Sequence, residues 1–526
     1  MLDAGYKLKS QAGSGLAVAV FIGCMDGYLI LGCQALSAQL VTGTITGTVT
    51  DQSGAAVPGA ELRLTNTATN VVQQATSDGN GSFQFLLLTS GAYALEASRS
   101  GFKSFRRDGI AVESARSMAI PVVLAVGQVT ETVEVVGGTP LLEPNTSALG
   151  SVMDRRKVEE LPLNGRNPMA LANLIPTVRS IGWFGGQVVS SWRMAAISIG
   201  GGMPTTNDFM IDGMANTKLG DAAGPMNFLT QDNTQEFKVE TNAMSAEFGR
   251  TGGGVMSIVS KEGTNEYHGS LFEFVRNDNL NANEFFANKA GQKKQALAVN
   301  QFGGTLGGPL IKDKLFFYSN YERFVERRSN FQIITAPTLR ERSGDFSETR
   351  NQAAAQIGVY DPYSTRANPA TAGAFIRDRF ANNVIPVSRL SPFGRSVLEY
   401  YPLPNITGQP NTNAQNLYQQ SGSPIDKNAF GLRVDYNISG SRRLFVRYSW
   451  DDLDWQFPNF FHNEADPEGR LVFVPRYGAV LGYTDALSPT FLLDFKAGLN
   501  REFEQYQTPS NGFDITKLSL PAKLGT

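Results

Sequence analysis

The chain contains very little cysteine and histidine, and this scarcity removes several kinds of chemistry. Among 526 residues there are two cysteines, Cys24 and Cys33, and two histidines, His268 and His462. If the N-terminal region is removed during export, the mature chain has no cysteine, which excludes disulfide bonds, thiol catalysis and cysteine-ligated zinc. Two histidines leave little room for a metal site or an acid–base pair. We therefore expect no metal, no cofactor, no catalytic residues and no enzyme activity.

The chain also lacks an excess of either charge and lacks a long apolar run. Lys and Arg number 46, Asp and Glu number 48, and the net charge is −2. Without a basic excess there is no electrostatic sign of a nucleic-acid partner. No segment approaches the roughly 20 apolar residues that a transmembrane helix needs. A membrane location would therefore require a β-barrel, and the 54 glycines and 33 phenylalanines favour strands joined by turns.

The N-terminus has the pattern of a secretory signal peptide covering residues 1–38. Two lysines precede the apolar stretches Leu16–Gly23 and Tyr28–Leu36, and small residues end at Ala38. A membrane anchor is the alternative, although both stretches are too short to span a bilayer. A lipoprotein is a further alternative, because glycine precedes both cysteines.

Residues 39–127 alternate between apolar and polar positions, and turn clusters separate about seven short strands, which predicts a β-sandwich. The stretches Gly47–Asn66, Thr76–Phe85 and Ser90–Phe102 resemble the carboxypeptidase regulatory-like domain. That resemblance implies a transthyretin-like sandwich with no catalysis of its own. Asp78–Gly81 fits either a calcium loop or a hairpin turn, and the backbone freedom of Asp, Asn and Gly favours the turn.

A short β-prone segment, residues 128–137, follows the sandwich and is called the coupling segment here. It could be the last strand of the sandwich, or it could add as a strand to the sheet edge of another protein. Part of it resembles the TonB box of TonB-dependent transporters, which implies a TonB-type energy-transducing partner in the periplasm. The residues that carry this resemblance are Glu131, Thr132, Val133, Glu134, Val135 and Val136.

Residues 138–265, called the plug segment here, mix short helical and strand patterns around glycine turns, which suits a small α+β domain. Val152–Leu161 predicts a helix, and Phe209–Gly213 predicts a strand that runs into a tight Asp-Gly turn. These pieces, together with Glu247–Ser260, resemble the plug domain of TonB-dependent receptors.

The plug resemblance gives roles to two glycine-containing motifs. It implies that Asp212-Gly213 shapes a plug loop and that Gly249–Gly254 lets the backbone pack closely against a barrel wall, because glycine tolerates positive φ and has no Cβ. A phosphate-binding loop is the alternative for the second motif, but no Lys-Ser/Thr follows in P-loop spacing. The motif residues are Asp212, Gly213, Gly249, Arg250, Gly252, Gly253 and Gly254.

Residues 266–526, called the barrel segment here, contain long alternating runs such as Phe430–Asn437 and Leu444–Asp451, each with one apolar and one mostly polar face. Such runs fit a transmembrane barrel with a wet lumen, and a soluble sandwich with one exposed face is the alternative. The pattern lapses over residues 328–423, which predicts a long loop without secondary structure that is either functional or disordered. In a barrel this loop would be extracellular, where ligands are met. This loop and Asn300–Phe317 resemble the Oar-like branch of TonB-dependent transporters.

Together these segments predict a mainly β fold: a transthyretin-like sandwich, a small α+β plug and an incomplete antiparallel transmembrane barrel. About seven barrel strands are recognisable, whereas a plugged transporter barrel has about 22. We therefore expect the N-terminal part of a longer protein, or a truncated gene.

The function implied by the resemblance is TonB-dependent transport of a bulky ligand, in either direction, at the outer membrane. A periplasm-spanning partner would supply the energy, and outer-membrane lipid would surround the barrel. The alternative is a surface adhesin or glycan-binding β-protein without transport.

Overall fold

A computed structural model describes residues 42–114, 116–128, 132–134, 149–180, 197–218, 224–242, 248, 251–283, 285–289, 294–488 and 491–524. The predicted signal peptide lies outside these residues. The described chain is mainly β, as the alternating patterns predicted. None of its described helices combines the length and apolar character needed to cross a bilayer.

The sandwich consists of two facing sheets. Its strands are β1 (Gly43–Asp51), β2 (Glu61–Asn66), β3 (Val72–Thr76), β4 (Ser82–Leu88), β5 (Gly91–Ser98), β6 (Ser104–Val112), β7 (Ser117–Ala119), β8 (Val122–Leu124) and β9 (Thr132–Glu134). One sheet has the order β4-β1-β7, with β8 also paired to β1, and the other has the order β3-β2-β5-β6-β9. The last strand, β9, belongs to the coupling segment.

Strict alternation builds the sandwich core. In β2, Leu62 and Leu64 are buried while Glu61 and Arg63 are exposed, so each strand turns one apolar face inward. The Asp78 carboxylate accepts hydrogen bonds from the N–H groups of Asn80 and Ser82, both at 2.8 Å. Asp78–Gly81 is therefore a turn that its own side chain closes.

The plug segment forms a mixed five-stranded sheet with short helical turns around it. Its elements are β10 (Leu149–Met153), α1 (Arg155–Glu160), β11 (Val178–Ser180), β12 (Ile197–Ile199), β13 (Asp208–Ile211), β14 (Met214–Ala215), β15 (Thr234–Asn242) and β16 (Val255–Ser260). The sheet order is β10-β15-β16-β13-β14, and β11 pairs with β12. The described part of the segment also contains four 3-10 turns: Asn164–Arg166, Pro168–Leu174, Pro204–Thr206 and Gln231–Asn233.

The helix predicted at Val152–Leu161 is shorter than expected. Val152 and Met153 pair with β15 as strand residues. The helix starts only after Asp154, whose carboxylate caps it by accepting the Lys157 N–H at 2.9 Å. The β pairing therefore decides where the helix begins.

The barrel segment forms one open antiparallel sheet, called the wall here. Its elements are β17 (His268–Asn277), α2 (Phe285–Lys289), β18 (Leu297–Ile311), β19 (Leu315–Ile334), α3 (Leu339–Arg342), β20 (Arg366–Ala367), β21 (Phe375–Ile376), α4 (Pro392–Glu399), β22 (Leu417–Gly422), β23 (Ile425–Asn437), β24 (Arg442–Gln456), β25 (Leu471–Phe473), β26 (Arg476–Ser488), β27 (Phe491–Glu502) and β28 (Gln505–Gln507). The seven long strands lie in the order β17-β18-β19-β23-β24-β26-β27. Within the described residues this sheet does not close on itself.

The wall has two different ends. Tight connections such as Lys312–Lys314 and Ile438–Ser441 join strands at one end, called the short-turn end. At the other, the long-loop end, residues 278–296, 335–416 and 457–475 connect the strands. This asymmetry is typical of outer-membrane barrels, whose short turns face the periplasm.

Burial along the wall strands is inverted relative to a soluble protein. On β23 the apolar residues Leu432 and Tyr436 are 37% and 40% exposed, whereas Arg433 and Asp435 are 6% and 2% exposed. Charged residues are almost never fully buried in soluble proteins unless they are paired. The exposed apolar face and buried charged face fit lipid outside and a polar lumen inside.

The loop predicted at residues 328–423 spans fewer residues than expected and contains secondary structure. β19 continues to Ile334, and its last six residues pair with β22 beyond the rest of the sheet. The remaining loop, residues 335–416, contains α3, α4 and the hairpin β20–β21. The expectation of a span without secondary structure was therefore wrong, because short capped elements carry little periodic signal.

Hydrogen bonds from a few side chains hold this loop together. The Arg342 guanidinium donates to the carbonyls of Leu398, Tyr401 and Pro402 at the end of α4, at 2.6–2.9 Å. Thr338 and Glu341 form a reciprocal capping box at the start of α3. The folded loop leaves two aromatic rings largely exposed, Tyr363 at 87% and Phe375 at 73%.

The alternation in β8 predicts opposite outcomes for two adjacent valines. Val122→Ala removes methyl groups from a side chain that is 0% exposed and should destabilise the sandwich by about 2 kcal/mol. Val123→Ala, at 50% exposure, should have no measurable effect. Pulse proteolysis of the sandwich across a urea series would check this difference, and equal losses in the two variants would contradict the described register.

Candidate functional site

The Asp-Gly turn predicted in the plug segment is present between β13 and β14. Asp212 and Gly213 have φ of 51° and 79°, and Ile211 pairs directly with Met214. Two central residues with positive φ define a type I′ hairpin turn, for which Asp-Gly is a preferred pair. The backbone explains why this motif holds glycine, but it does not explain the surroundings of the Asp212 side chain.

The Asp212 carboxylate is buried at the contact between the plug segment and the wall. It accepts hydrogen bonds from the backbone N–H and the hydroxyl of Ser260, at 2.9 and 2.8 Å. Arg447 Nε on β24 lies 2.7 Å from Asp212 Oδ2, and Arg433 on β23 lies 3.4 Å from Oδ1. All three charged side chains are at most 7% exposed.

This contact extends into a balanced cluster of charges, called the Asp212 cluster here. The Arg433 guanidinium also binds Asp435 at 3.0 Å and donates to the Ser260 carbonyl at 2.8 Å. Arg443 bridges Asp435 and Glu262, a residue that follows the last plug strand. Three guanidinium groups therefore face three carboxylates, two of which belong to the plug segment. Such balance is needed because an unpaired buried charge is very costly.

A second ionic contact lies near the long-loop end. Lys218 of the plug segment binds Glu502 at 2.6 Å and Glu504 at 2.7 Å, both past or at the end of β27. Glu502 also binds Arg476, which in turn binds Asp451, each at 2.7 Å. This contact ties the plug segment to three wall strands.

A third contact joins the plug segment to the first wall strands. Arg166 binds Asp232 within the plug segment and lies 3.4 Å from Glu322 of β19. Its guanidinium also stacks on Phe272 of β17, 4.1 Å from the ring centre. Gln301 donates to the other side of Glu322 at 2.9 Å.

Asparagine side chains fill the space above wall glycines. A Cβ at Gly431 would lie 2.5 Å from Asn233 Nδ2 of the plug segment, and a Cβ at Gly478 would lie 3.0 Å from Asn227 Nδ2. Asn227 also donates to Asn500 of β27 at 2.7 Å. The glycines thus let the plug backbone approach the wall closely.

The second glycine motif has a different role from the one predicted. A Cβ at Gly253 would lie 2.2 Å from Asn207, and a Cβ at Gly254 would lie 2.1 Å from Ile199. Both neighbours belong to the plug segment, and Gly252 lies beside Thr206 of the same segment. The expected packing of this motif against the wall is therefore wrong for Gly252–Gly254, which bring plug elements together. Gly249 and Arg250 lie outside the described residues.

Of the coupling residues Glu131–Val136, the structure describes Thr132–Glu134. Glu131, Val135 and Val136 lie outside the described residues. Thr132–Glu134 form β9, which pairs in parallel with Ser104–Arg106 of β6. β9 is the last strand in the order of this sheet, so the described part of the coupling segment is an edge strand of the sandwich. This is the alternative that the sequence left open for it.

The sandwich also touches the plug segment. The Ser114 N–H, just past β6, donates to Glu236 Oε1 of β15 at 2.6 Å. Glu236 is only 4% exposed. Burial raises the pKa of Glu236, and the nearby Glu113 carboxylate adds to this, while hydrogen bonds from Ser114 and Ser90 lower it.

A cavity of about 370 Å³ lies between the plug segment and the wall. Arg166 and Phe228 line it on the plug side, and Glu322, Phe324 and Lys427 line it on the wall side. Its lining therefore combines aromatic rings with charges of both signs. Among the described residues, no three His, Cys, Asp or Glu side chains lie close enough to hold a metal ion.

Sequence reasoning identified Asp212 but missed the wall residues that bind it. Arg433 and Arg447 were visible as charged residues on one face of alternating strands, and that face was predicted to be the lumen. Lys218 and Arg166 had no such signal, because they lie in irregular plug loops. The pairing of Asp212 with Arg433 spans 221 residues, and no local pattern encodes it.

Comparisons with known proteins agree with this architecture. A family model described as an outer membrane beta barrel domain matches residues 259–523, and one described as a carboxypeptidase regulatory-like domain matches residues 44–125. The chain is 26% identical over 309 residues to the TonB-dependent transporter Oar of Myxococcus xanthus, covering 56% of this chain and 28% of that protein.

Two further comparisons are more distant. The chain is 30% identical over 106 residues to the probable TonB-dependent siderophore receptor PirA of Acinetobacter baumannii, covering 20% of this chain and 12% of that protein. Superposition on the outer membrane transporter YddB from Escherichia coli gives a TM-score of 0.42 at 12% identity, over 68% of this chain and 39% of that one. The chain thus spans less than a third of the length of either curated relative.

The Asp212 cluster predicts a large effect of a small substitution. Asp212→Asn keeps a residue that tolerates positive φ but leaves Arg433 and Arg447 short of one negative charge, so the contact between plug and wall should weaken by about 3–5 kcal/mol. The measurement is the guanidinium concentration at which the plug segment becomes susceptible to protease. Glu160→Gln, which alters a surface ion pair of α1, is the control and should leave that midpoint unchanged, and equal midpoints for all three proteins would contradict the cluster.

The buried Glu236 predicts that the sandwich contacts the plug segment more firmly at low pH. Because burial raises the pKa of Glu236 above its ordinary value of 4.5, the docked state binds a proton more readily than the separated state. Docking should therefore strengthen as the pH falls through the raised pKa and weaken as the pH rises above it. Spin labels at Arg63→Cys and Lys312→Cys would report the separation between pH 8 and pH 5. Glu236→Gln should abolish the pH dependence, and an identical distance distribution at both pH values in the unaltered chain would contradict the prediction.

Proposed function

The chain belongs to the outer-membrane β-barrel family of TonB-dependent transporters, and from that membership we propose that it carries a bulky ligand across the outer membrane. In this proposal the wall surrounds a lumen that the plug segment, residues 138–265, closes. A TonB-type partner that spans the periplasm supplies the energy through Glu131–Val136. The proposal covers transport in either direction, after export of the chain by the signal peptide at residues 1–38.

The observation that supports this function best is the polar contact between plug segment and wall. Arg166, Asp212 and Lys218 each reach a wall strand through an ion pair rather than through an apolar core. When a buried ion pair separates into water, both charges regain the hydration that burial removed, which offsets the lost attraction. Separating an apolar core instead exposes its whole surface to water. A plug held in this way can move and return.

The plug motif residues have separate roles in this proposal. Asp212 and Gly213 form the turn that binds the wall, and Gly252–Gly254 hold the plug elements together. Gly249 and Arg250 belong to the same plug motif by resemblance. In this proposal the sandwich at residues 39–127 takes the transthyretin-like architecture that its family resemblance implies.

The cavity beside Arg166 is the proposed path of the ligand past the plug segment. Its volume lies within the range of small-molecule sites, and aromatic and charged groups line it together. A ligand with both apolar and ionised parts matches that lining. A larger ligand would need the plug segment to move further from β19.

Deleting Glu131–Val136 should abolish energised movement of the plug segment. Thr234 of β15 is 0% exposed, so Thr234→Cys, with Cys24 and Cys33 replaced by serine, gives a thiol that reagents reach only when the plug moves. In energised cells a membrane-impermeant maleimide should label this thiol. The deletion, or a protonophore, should reduce labelling at least about tenfold, because coupling energy would no longer reach the plug.

The control replaces Glu131–Val136 with six Gly and Ser residues, which preserves the chain length but not the side chains. A heat-modifiable band in the outer-membrane fraction would establish that each variant is inserted. Equal labelling with and without the segment would overturn the coupling proposal. Labelling that is absent under every condition would favour a surface adhesin that does not transport.

A further inference from the structure

The sandwich touches both the plug segment and the wall at the short-turn end. On the plug side, Ser114 donates to the buried Glu236 of β15. On the wall side, Asn70 Nδ2 donates to Asp313 Oδ1 in the turn between β18 and β19, at 3.1 Å. One folded unit therefore bridges two parts of the molecule that must separate if the plug moves.

The wall contact is close and involves backbone as well as side chains. The Asn265 N–H donates to the Ala68 carbonyl at 2.9 Å, and Asn265 also exchanges two hydrogen bonds of 2.8 Å with Asp313. In the turn between β23 and β24, a Cβ at Gly440 would lie 2.2 Å from the Val72 carbonyl oxygen. The sandwich thus rests directly on two wall turns, with Asn265 of the plug–wall junction between them.

Little space remains where the three parts meet. A small, partly open cavity there has a volume of about 60 Å³, and Tyr93 of the sandwich, Glu262 of the plug segment and Arg443 of the wall are among its lining residues. That volume holds only a few water molecules. The docked sandwich therefore lies against Glu262 and Arg443 of the Asp212 cluster at the short-turn end.

We propose that the sandwich is a detachable clamp, which holds the plug segment against the wall until the sandwich leaves the short-turn end. The clamp acts through Ser114 on Glu236 and through residues 68–72 on the two wall turns. Its part in transport rests on the proposed function, whereas its effect on the plug segment does not.

The position of the coupling segment gives the clamp a means of release. β9 is hydrogen-bonded to β6, and the chain leaves β6 only two residues before Ser114. A pull on Thr132–Glu134 therefore acts on the strand that ends at the Glu236 contact. The sandwich is the first unit to receive the load, and the plug segment is freed after it.

A wedge at Gly440 tests the clamp in the full chain. Gly440→Val directs a branched side chain at the Val72 carbonyl and should push the sandwich away without touching the plug segment. Gly79→Val is the matched control, because a Cβ there has no neighbour within 4 Å. Neither glycine has a positive φ, so neither substitution strains the backbone.

The readout is hydrogen exchange of the full chain in lipid nanodiscs, without ligand or partner. In the Gly440→Val variant the amides of β15 should exchange at least about tenfold faster, while those of β2, β5 and β24 keep their rates. The Gly79→Val variant should match the unaltered chain. A disulfide between Asn70→Cys and Asp313→Cys should slow exchange in β15, and reduction should restore the original rate.

Two results would overturn the clamp. In the first, the spin-label separation between Arg63→Cys and Lys312→Cys increases in the wedge variant while exchange in β15 stays unchanged. The sandwich would then leave its docked position without affecting the plug segment. Alternatively, the separation would not change at all, which would contradict the docked position itself. Because no energy source or partner is present, either result leaves the transport proposal to be judged by the Thr234→Cys labelling alone.

Discussion

Lipid on the outside of the wall leaves charged wall side chains only one favourable place, the inward face. Arg433, Asp435 and Arg447 occupy that face and are almost wholly buried. A guanidinium in that position needs carboxylates or water, since an uncompensated buried charge costs several kcal/mol. The plug segment supplies Asp212 and Glu262 where the wall supplies arginine, and it supplies Lys218 where the wall supplies Glu502. The inward face of the wall and the surface of the plug segment that touches it are therefore electrostatic complements.

The interactions that fold the plug segment differ from the interactions that bind it to the wall. Its interior is apolar, with Val158, Ile199, Phe209, Val239 and Met256 at most 1% exposed. Its surface toward the wall carries ion pairs and asparagine amides, together with the ring of Phe228. Water can replace the partners at that surface but cannot replace an apolar core. The contact between the segment and the wall can therefore be hydrated without exposing the apolar interior of the segment.

Much of the fold could be predicted from the sequence, because residues close together in the chain determine where most strands and turns form. Period-2 alternation predicted the long wall strands, and the preference of Asp-Gly for positive φ predicted the hairpin at Asp212. The start of α1 was misjudged because pairing with β15 overrides helical propensity at Val152 and Met153. The loop at residues 328–423 seemed irregular because caps and short turns have no period. Sequence patterns of this kind predict single strands, helices and turns, but not the contacts between them.

The site was harder to predict, because its contacts join distant parts of the chain. A glycine reveals that something approaches closely, but it does not reveal what approaches. For that reason Gly252–Gly254 were predicted to pack against the wall. No such contact was predicted for Gly431 and Gly478, which do face plug asparagines. The cation partners of Asp212 are 221 and 235 residues away in sequence, by the numbering of Arg433 and Arg447. Only the folded wall brings them to one carboxylate.

The folded loop at residues 335–416 lowers the entropic cost of any binding at the long-loop end. Arg342 fixes the end of α4, the capping box fixes the start of α3, and Asn383 Nδ2 donates to the carbonyls of Phe346 and Ile357. Its exposed rings are thus presented on a surface that is already ordered. A molecule that meets Tyr363 or Phe375 does not have to immobilise a flexible chain, so less of its contact energy is lost to ordering. Such a surface favours selectivity for one shape over adaptation to many.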